Sequence, residues 1–532
     1  MPTLEWIGKD KVINHHQDVA YRVLERQYSY SAEGQTEADN DSGNMIIHGD
    51  NLVALKALLP QYEGKIKCIY IDPPYNTGNE KWVYNDNVND PKMKKWLGDV
   101  VGREGEDLSR HDKWLCMMYP RLKLLQRLLA DDGVIFISID ENEHRYLELV
   151  LDEIFGSNNR IDTLVWQNNY GGGSKSNYVV HLHEYILCFA KQIDKVSHLE
   201  LPPDENILKY YKYKDAKFND RGPFRLQPLA TTSMDTRPNL RYALVYNGIE
   251  IWPEKQWFWS KERAQEAQLK DELVFSENKG KWSVNYKQYL RDENGVERKS
   301  KPYSIITGVY TQAGTKEVKM LFGDGKTFDF PKPSSLVGYL VSMIAHDDDY
   351  ILDSFAGSGT TAHAVLNLNK QDGGNRKFIL IETEEYADTI TAERVKRVIR
   401  GYGEGNSAVE GAGGDFSFYE LGDVLLLADG NLNESVGVDR IRAYVYFMET
   451  KQNIGEKSPK ENDYFLGTHN QTAYYFYYDP ETVTTLDDLF LATIRTRADG
   501  YLIYADRLAL SADDLRKYNI VFKKIPRDIS RL

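Results

Sequence analysis

Cysteine is scarce in this chain, with three residues in 532, Cys68, Cys116 and Cys188. An odd number at wide spacing argues against a disulfide framework and against a cysteine-based zinc site. No apolar run approaches the roughly 18 residues that a membrane span needs. The polar stretch Met1 to Asp10 lacks the basic-then-apolar layout of a signal peptide. These absences read as an intracellular, cytoplasmic protein with no membrane partner. A basic surplus is also missing: 66 Lys and Arg stand against 80 Asp and Glu, a net charge of -14 that repels anionic polymers as a whole. On that number alone nucleic acid is a poor partner. There is no internal repeat of 20 to 50 residues.

What is present is the composition of a folded chain, 41% hydrophobic and 27% charged, with Tyr unusually frequent at 36. Its length exceeds one ordinary core, so two or three units are expected. Residues 1-44 read as an N-terminal arm ending in a mobile polar linker from Ser31 to Asn44, with folded structure starting at Met45. From 45 to 194, short β-rich runs alternate with helix-length amphipathic segments. Met45 to His48, Ile66 to Ile71, Val134 to Ile139, Leu164 to Trp166 and Glu184 to Ala190 read as strands, with the glycine-rich loop Gly171 to Ser174 before the last. Near residue 191 the chain turns rich in Tyr, Trp, Lys and Pro and loses the alternation, so 195-328 reads as an insert. The rhythm resumes in 329-400, with strands at Tyr350 to Leu352 and Lys377 to Ile381. Neither half has enough strands alone. Together they supply about seven, which implies one parallel α/β sheet interrupted by an insert. The glycine-rich stretch Gly401 to Gly414 then leads to a C-terminal α+β domain, 415-532.

Two strand ends carry candidate chemistry. Asp353-Ser-Phe-Ala-Gly-Ser-Gly-Thr-Thr361 is a strand end, two glycines and a helix start, which lets backbone approach a ligand and offers free amides. It lacks the GK[ST] ending of a P-loop and the third glycine of a dinucleotide fingerprint. A tight turn with no ligand would look the same in isolation. One βα unit on, Glu382 can accept both hydroxyls of a ribose. Together they outline a pocket for a nucleoside with a carboxylate tail and no phosphate, the description of S-adenosylmethionine. The second candidate, Asp72-Pro-Pro-Tyr-Asn-Thr-Gly78, brings an acid, two turn-fixing prolines and a rigid aromatic to a strand terminus. The exocyclic amine of adenine is a poor nucleophile because its lone pair is delocalised. Hydrogen bonds to Asp72 and to the Pro73 carbonyl would pull it toward tetrahedral geometry while Tyr75 stacks on the ring. A base must leave the duplex to be reached, at about a few kcal/mol. The bland alternative is a proline-stiffened loop with Asp72 as a helix cap.

On these residues the sequence resembles the adenine-specific DNA methyltransferases that use S-adenosylmethionine. Asp72-Pro-Pro-Tyr75 is similar to their catalytic motif and Phe355-Ala-Gly-Ser-Gly359 to their cofactor motif, followed here by Thr360. The order, catalytic motif, target-recognition insert, then cofactor motif, is the permutation called the β group. Asp50 resembles an acid contacting the cofactor's adenine, and Phe330-Pro-Lys-Pro333, with Lys332, the motif flanking its methionine end. Gly133 to Ile139 and His183-Glu-Tyr-Ile-Leu187 resemble framework strands. Trp6-Ile-Gly-Lys9 and Phe522 to Asp528 resemble modification subunits of type III restriction systems. The resemblance implies a permuted Rossmann-like methyltransferase fold. The cofactor-binding residues it implies are Asp50, Lys332, Asp353, Phe355, Ala356, Gly357, Gly359, Thr360 and Glu382. It implies direct in-line methyl transfer to the N6 amine of adenine in duplex DNA, with Asp72, Pro73, Pro74 and Tyr75 in the catalytic motif. No metal is required, because the sulfonium is already a good leaving group. Asp at position 72, where enzymes acting on the cytosine amine usually carry Ser, favours adenine. A homodimer in a prokaryotic cytoplasm, with a possible helicase-nuclease restriction subunit, is implied too. A solitary adenine methyltransferase, an amine methyltransferase acting on RNA, a methyltransferase acting on a protein amide and a non-catalytic DNA-recognition subunit stay open.

Between 205 and 260, Lys and Arg interleave with Tyr210, Tyr211, Tyr213, Phe218, Phe224, Trp252, Trp257 and Trp259, as a DNA-contacting surface or a solvated face over a Trp-rich core would. His181 and His183 share a strand face without a third ligand, and His15-His16 reads as exposed. Divided by segment, the net charge changes meaning: roughly +4 for 201-330 and roughly -7 from 401 onward. DNA affinity is therefore expected to reside in the insert and to fall steeply as salt rises from about 50 to 200 mM. Binding to duplex DNA that survives deletion of the insert unchanged would contradict this.

Overall fold

The computed structural model describes residues 3–77, 91–100, 109–171, 178–203, 205–452, 454 and 461–529. Gly78 of the second candidate motif and Gly172 to Ser174 of the glycine-rich loop lie outside the described residues. The described residues divide into two compact units, residues 1–199 with 303–532, and residues 200–302.

In the larger unit, eleven strands of the described residues form one sheet: β1 (Arg22–Ser31), β2 (Gly34–Thr36), β3 (Met45–His48), β4 (Ile66–Ile71), β5 (Leu129–Ile139), β6 (Arg160–Gln167), β7 (His183–Ala190), β8 (Ile305–Ile306), β9 (Tyr350–Asp353), β10 (Lys377–Glu382) and β11 (Asp415–Val424). Their order is β8-β6-β7-β5-β4-β9-β10-β3-β11-β1-β2. The expected seven are the consecutive run from β6 to β3, a Rossmann-like α/β core in which β9 and β10 of the later half sit between β4 and β3 of the earlier one. The sheet is mixed, not wholly parallel, because β7 runs antiparallel to both β5 and β6. It also exceeds seven strands, since β8 extends one edge and β11, β1 and β2 the other.

Long apolar runs form the central strands because they are buried on both faces. Ile69 and Ile71 of β4 join a core with Leu55 and Leu58 of α1 (Asn51–Tyr62) and Met118 and Leu122 of α2 (Arg110–Leu128), while the alternate residues Cys68 and Tyr70 are buried on the opposite face. The start of α2 is set by a capping box, in which Ser109 and Asp112 each accept the other's backbone N–H at 3.2 and 2.9 Å. Helices α3 (His144–Phe155), α4 (Thr311–Phe322), α5 (Ser334–Ser342), α6 (Thr360–Asp372) and α7 (Glu393–Arg400) complete the frame used below. The three cysteines are buried and unbonded. No described helix is long and apolar enough to cross a membrane.

Several expected boundaries move. The N-terminal arm is not separate from the fold: β1 pairs antiparallel with β11 over nearly its whole length, and Tyr28 and Tyr30 are buried. His16 is buried rather than exposed, and burial together with Lys123 and Lys56 pushes its imidazole down to about 4. The insert is shorter than 195-328, because the chain re-enters the main sheet at β8, which pairs with Val165 and Trp166, and Trp166 donates to the Val309 carbonyl at 2.7 Å. The C-terminal domain does not begin at 415, since β11 belongs to the main sheet. The rest builds a second sheet from Phe465–His469, Thr472–Phe476, Gly500–Ala505 and Ile520–Lys524.

The smaller unit, Glu200–Pro302, has its own core around a three-stranded antiparallel sheet of Leu273–Asn278, Lys281–Tyr289 and Phe224–Pro228. Its aromatics split between the two readings left open by the sequence. Tyr211, Phe224 and Trp257 are core, with the Trp257 indole donating to the Tyr242 carbonyl at 2.8 Å, whereas Tyr210, Tyr213 and Trp252 are about half exposed.

The sheet's first strand generates a test. The Tyr28 ring stacks on Phe418 at 5.2 Å and 2°, and its hydroxyl donates to Asp388. Tyr28→Ala should cost about 3 kcal/mol in urea denaturation, while the exposed neighbour change Gln27→Ala stays within about 0.5 kcal/mol. Equal, negligible effects would return the segment to a mobile arm.

Candidate active site

β4 and β9 lie side by side and parallel, with Cys68 opposite Ile351 and Ile69 opposite Leu352. From β9 the chain passes through α6 to β10 on one side, and from β4 it goes on to β5 on the other. Crevices open at the carboxyl ends of strands where connections diverge in this way. The two candidate motifs follow these two strand ends, and a cavity of about 230 Å³ lies there, lined by Asp72, Pro73 and Tyr75 from one motif, and by Asp353, Phe355 and Thr360 among others from the second.

The Asp72 loop is held from behind. Trp114, buried in α2, donates its indole N–H to the Pro74 carbonyl at 2.7 Å. Asn76 sits in the left-handed region at φ 57° and its amide donates to Glu143, which His111 also contacts at 2.6 Å. In front, both Asp72 oxygens accept from the Lys332 ammonium at 2.9 Å. That ammonium also lies 3.5 Å from Glu184 Oε2 and 4.7 Å from the centre of the Tyr75 ring. The Tyr75 hydroxyl donates to Glu184 Oε2 at 2.8 Å, and Asn168 donates to the other Glu184 oxygen at 2.8 Å. Burial pushes the Asp72 carboxyl up and Lys332 pulls against it. On Lys332 burial acts downward, but Asp72 and Glu184 outweigh it and hold the ammonium above its ordinary value.

The second motif forms a tight loop from β9 into α6. Asp353 accepts from the Phe355 amide at 3.0 Å and from the Thr361 hydroxyl at 2.5 Å. Gly357 and Gly359 have φ of 53° and 85°, and a Cβ at Gly359 would meet the Thr391 carbonyl oxygen at 3.0 Å, so the loop needs glycine there. Ala356 and Gly357 line the cavity. Glu382, at the end of β10, accepts from the Gly357 amide at 2.6 Å and the Glu384 amide at 3.0 Å. Burial raises the carboxyls of both Asp353 and Glu382 to about 7. Under the loop, the fully buried Arg394 donates to Ser358 and Thr360 at 2.7 and 2.9 Å and pairs with Glu317 of α4 at 3.0 Å.

The structure thus brings Asp72, Pro73, Tyr75, Lys332, Asp353, Phe355, Ala356, Gly357 and Thr360 to one cavity. Pro74, Gly359 and Glu382 support it from behind. Asp50 stands elsewhere: its Oδ1 caps α1 by accepting from Leu52 and Val53 N–H, and Arg121 lies 3.5 Å from its other oxygen. Lys332, expected at the cofactor's methionine end, is bonded to Asp72. Glu184 was visible in the sequence as part of a framework strand without a role, and Arg394 and Glu317 were missed. Their only signal is charge inside otherwise regular helices. His181 pairs with Glu141 and His183 with the Tyr185 hydroxyl. Among the described residues no His, Cys, Asp and Glu group could hold a metal ion.

Comparison with known proteins agrees on one family. The family described as DNA methylase matches residues 66–393. The chain is 32% identical over 419 residues to the type III restriction-modification enzyme StyLTI Mod subunit of Salmonella typhimurium, covering 74% of this chain and 62% of that one. It is 34% identical to the EcoPI Mod subunit of Escherichia phage P1, covering 66% and 59%, and 35% identical to the type II methyltransferase M.KpnI of Klebsiella pneumoniae, covering 65% and 81%. The chain spans about three fifths of the length of the two Mod subunits.

The raised carboxyls carry a pH test. Their folded values near 7 exceed the ordinary value of about 4, so the folded state binds their protons more tightly than the unfolded chain does. That stability is full below about pH 4 and is lost as pH rises through about 7. Asp353→Asn should flatten the fall in Tm of the ligand-free protein between about pH 5 and 8. A slope identical to wild type would contradict the assignment.

Proposed function

Because the chain belongs to the DNA methylase family, we propose that it transfers a methyl group from S-adenosylmethionine to the N6 amine of adenine in duplex DNA, as the modification subunit of a type III restriction system. The observation that carries this reading is the meeting of Asp72 and Tyr75 with the Phe355-Ala-Gly-Ser-Gly359 loop on one cavity. S-adenosylmethionine, when bound, supplies a methyl group made electrophilic by its sulfonium. The residues present fit it: apolar Phe355 and Ala356 suit a purine, Asp353 suits a cationic ammonium, and Glu382 fixes the Gly357 loop from behind.

On the substrate side, Asp72 accepts a hydrogen bond from the adenine amine and Pro73 offers a second acceptor, which localises the nitrogen lone pair. Tyr75 gives the flipped ring an apolar face, partly offsetting its loss of stacking. The amine nitrogen gains the methyl group as the methyl–sulfur bond breaks and its electron pair stays on sulfur, and the proton that the nitrogen gives up passes to water. The exposed aromatics Tyr210, Tyr213 and Trp252 and the basic surplus of the insert support contact with DNA by that unit. A homodimer and a helicase-nuclease partner belong to the same proposal, and the description of the relatives as Mod subunits of restriction-modification enzymes supports a partner subunit. A solitary methyltransferase is the second reading, favoured by the 81% coverage of M.KpnI. Co-purification of an ATP-dependent nuclease from the native host separates the two.

Asp72→Ala and Tyr75→Ala should each lower methyl transfer to duplex DNA by about 100-fold or more. Binding of labelled S-adenosylmethionine should stay within about threefold of wild type. Full activity in both variants would sink the assignment.

A further inference from the structure

One lysine ties the reacting groups together. The Lys332 ammonium takes both oxygens of Asp72 at 2.9 Å, approaches Glu184 at 3.5 Å and lies over the Tyr75 ring at 4.7 Å. It comes from the segment leading into α5, far in sequence from all three. The groups facing Asp72 are Lys332, Glu184 from β7, Tyr75 on its own loop, Tyr70 from β4 and Asp353 from β9, and of these Lys332 alone is a cation. Without it, Asp72 would face two carboxylates in a buried setting, which favours the protonated acid. A protonated Asp72 donates a hydrogen bond where the reaction needs an acceptor.

The lysine is presented rigidly. Pro331 and Pro333 flank it and restrict its backbone. The next residue, Ser334, gives its amide and its hydroxyl to Glu317 at 3.1 and 2.7 Å, and Glu317 is paired with the buried Arg394. Helix α4 runs hard against this segment: a Cβ at Gly314 would sit 2.1 Å from the Pro331 carbonyl oxygen. Arg394 in turn grips Ser358 and Thr360 of the other motif's loop. The acid and the glycine-rich loop are therefore registered through one chain of contacts.

We propose that Lys332 is a positioning residue of methyl transfer, holding Asp72 ionised and aimed so that the target amine meets an acceptor. The inference rests on the methyltransferase reading above and deepens it, and it departs from a role for Lys332 in binding the cofactor. Glu184 has the opposite electrostatic influence on Asp72 and the same anchoring influence on Tyr75, so the two neighbours should displace the titration of activity in opposite directions.

The test is the pH dependence of single-turnover methylation of duplex DNA from a host lacking the modification, with labelled S-adenosylmethionine. In Lys332→Met the acidic limb should move up by about one pH unit or more, with the rate recovering toward wild type in alkaline buffer. Lys332→Arg, which keeps the cation, should keep the limb in place, and Glu184→Gln should move it down. Labelled cofactor binding should stay within about threefold in all variants. Lys332→Gln serves if the methionine variant does not fold. A rate lowered by the same factor at every pH would reduce Lys332 to a packing role and overturn the inference. Weakened cofactor binding with the limb unmoved would overturn it in favour of a cofactor contact. A wild-type protein that methylates no DNA would overturn the activity itself, whereas a methylating wild type with unmoved limbs in the variants overturns this inference alone.

Discussion

The hydrogen-bonded seam between β4 and β9 is the constraint on which the rest of the site depends. The two strands are separated in sequence by more than half the chain, yet their register sets Asp72 and Asp353 at adjacent carboxyl ends. The permuted order has little cost for this arrangement, because a sheet is specified by which strands pair and not by where the chain begins. The chain leaves the sheet after β7 and rejoins it at the edge strand β8, and the seam itself lies well inside the strand order.

Around the seam, buried charge is concentrated in a way that stability alone would not favour. Asp72, Glu184, Lys332, Asp353, Glu382 and Arg394 are all ionisable and largely removed from water. Replacing one partner of such a pair leaves the other uncompensated, which typically costs about 3 to 5 kcal/mol. The arrangement is intelligible as preorganisation, in which dipoles and charges are fixed before the reaction needs them. Prolines on both sides of Lys332, the left-handed Asn76 and the paired Glu317 and Arg394 are the devices that fix them.

Most of the central sheet was legible because strands buried on both faces are written as continuous apolar runs, as in Cys68 to Ile71 and Phe378 to Ile381. β1 was not, because Arg22–Ser31 mixes charged and aromatic residues at a half-buried flank and reads as polar until its partner β11 is known. β8 has two residues, too short for any periodic signal. The motif residues themselves were readable from residue type at strand ends. What joins them was not: the Lys332 contact with Asp72 and the Arg394 contact with Glu317 link segments far apart, and Asp50 carries the same letter whether it caps a helix or touches a ligand.

If this cavity activates the exocyclic amine of adenine, as proposed, the transferred methyl group ends on one atom of the DNA. The most direct measurement is to incubate the protein with duplex DNA and S-adenosylmethionine labelled in the methyl group, digest the DNA to nucleosides and identify the labelled one. Label is expected in N6-methyladenosine, as its deoxynucleoside, and nowhere else. Label in N4-methylcytosine, or none in DNA at all, would contradict the proposal.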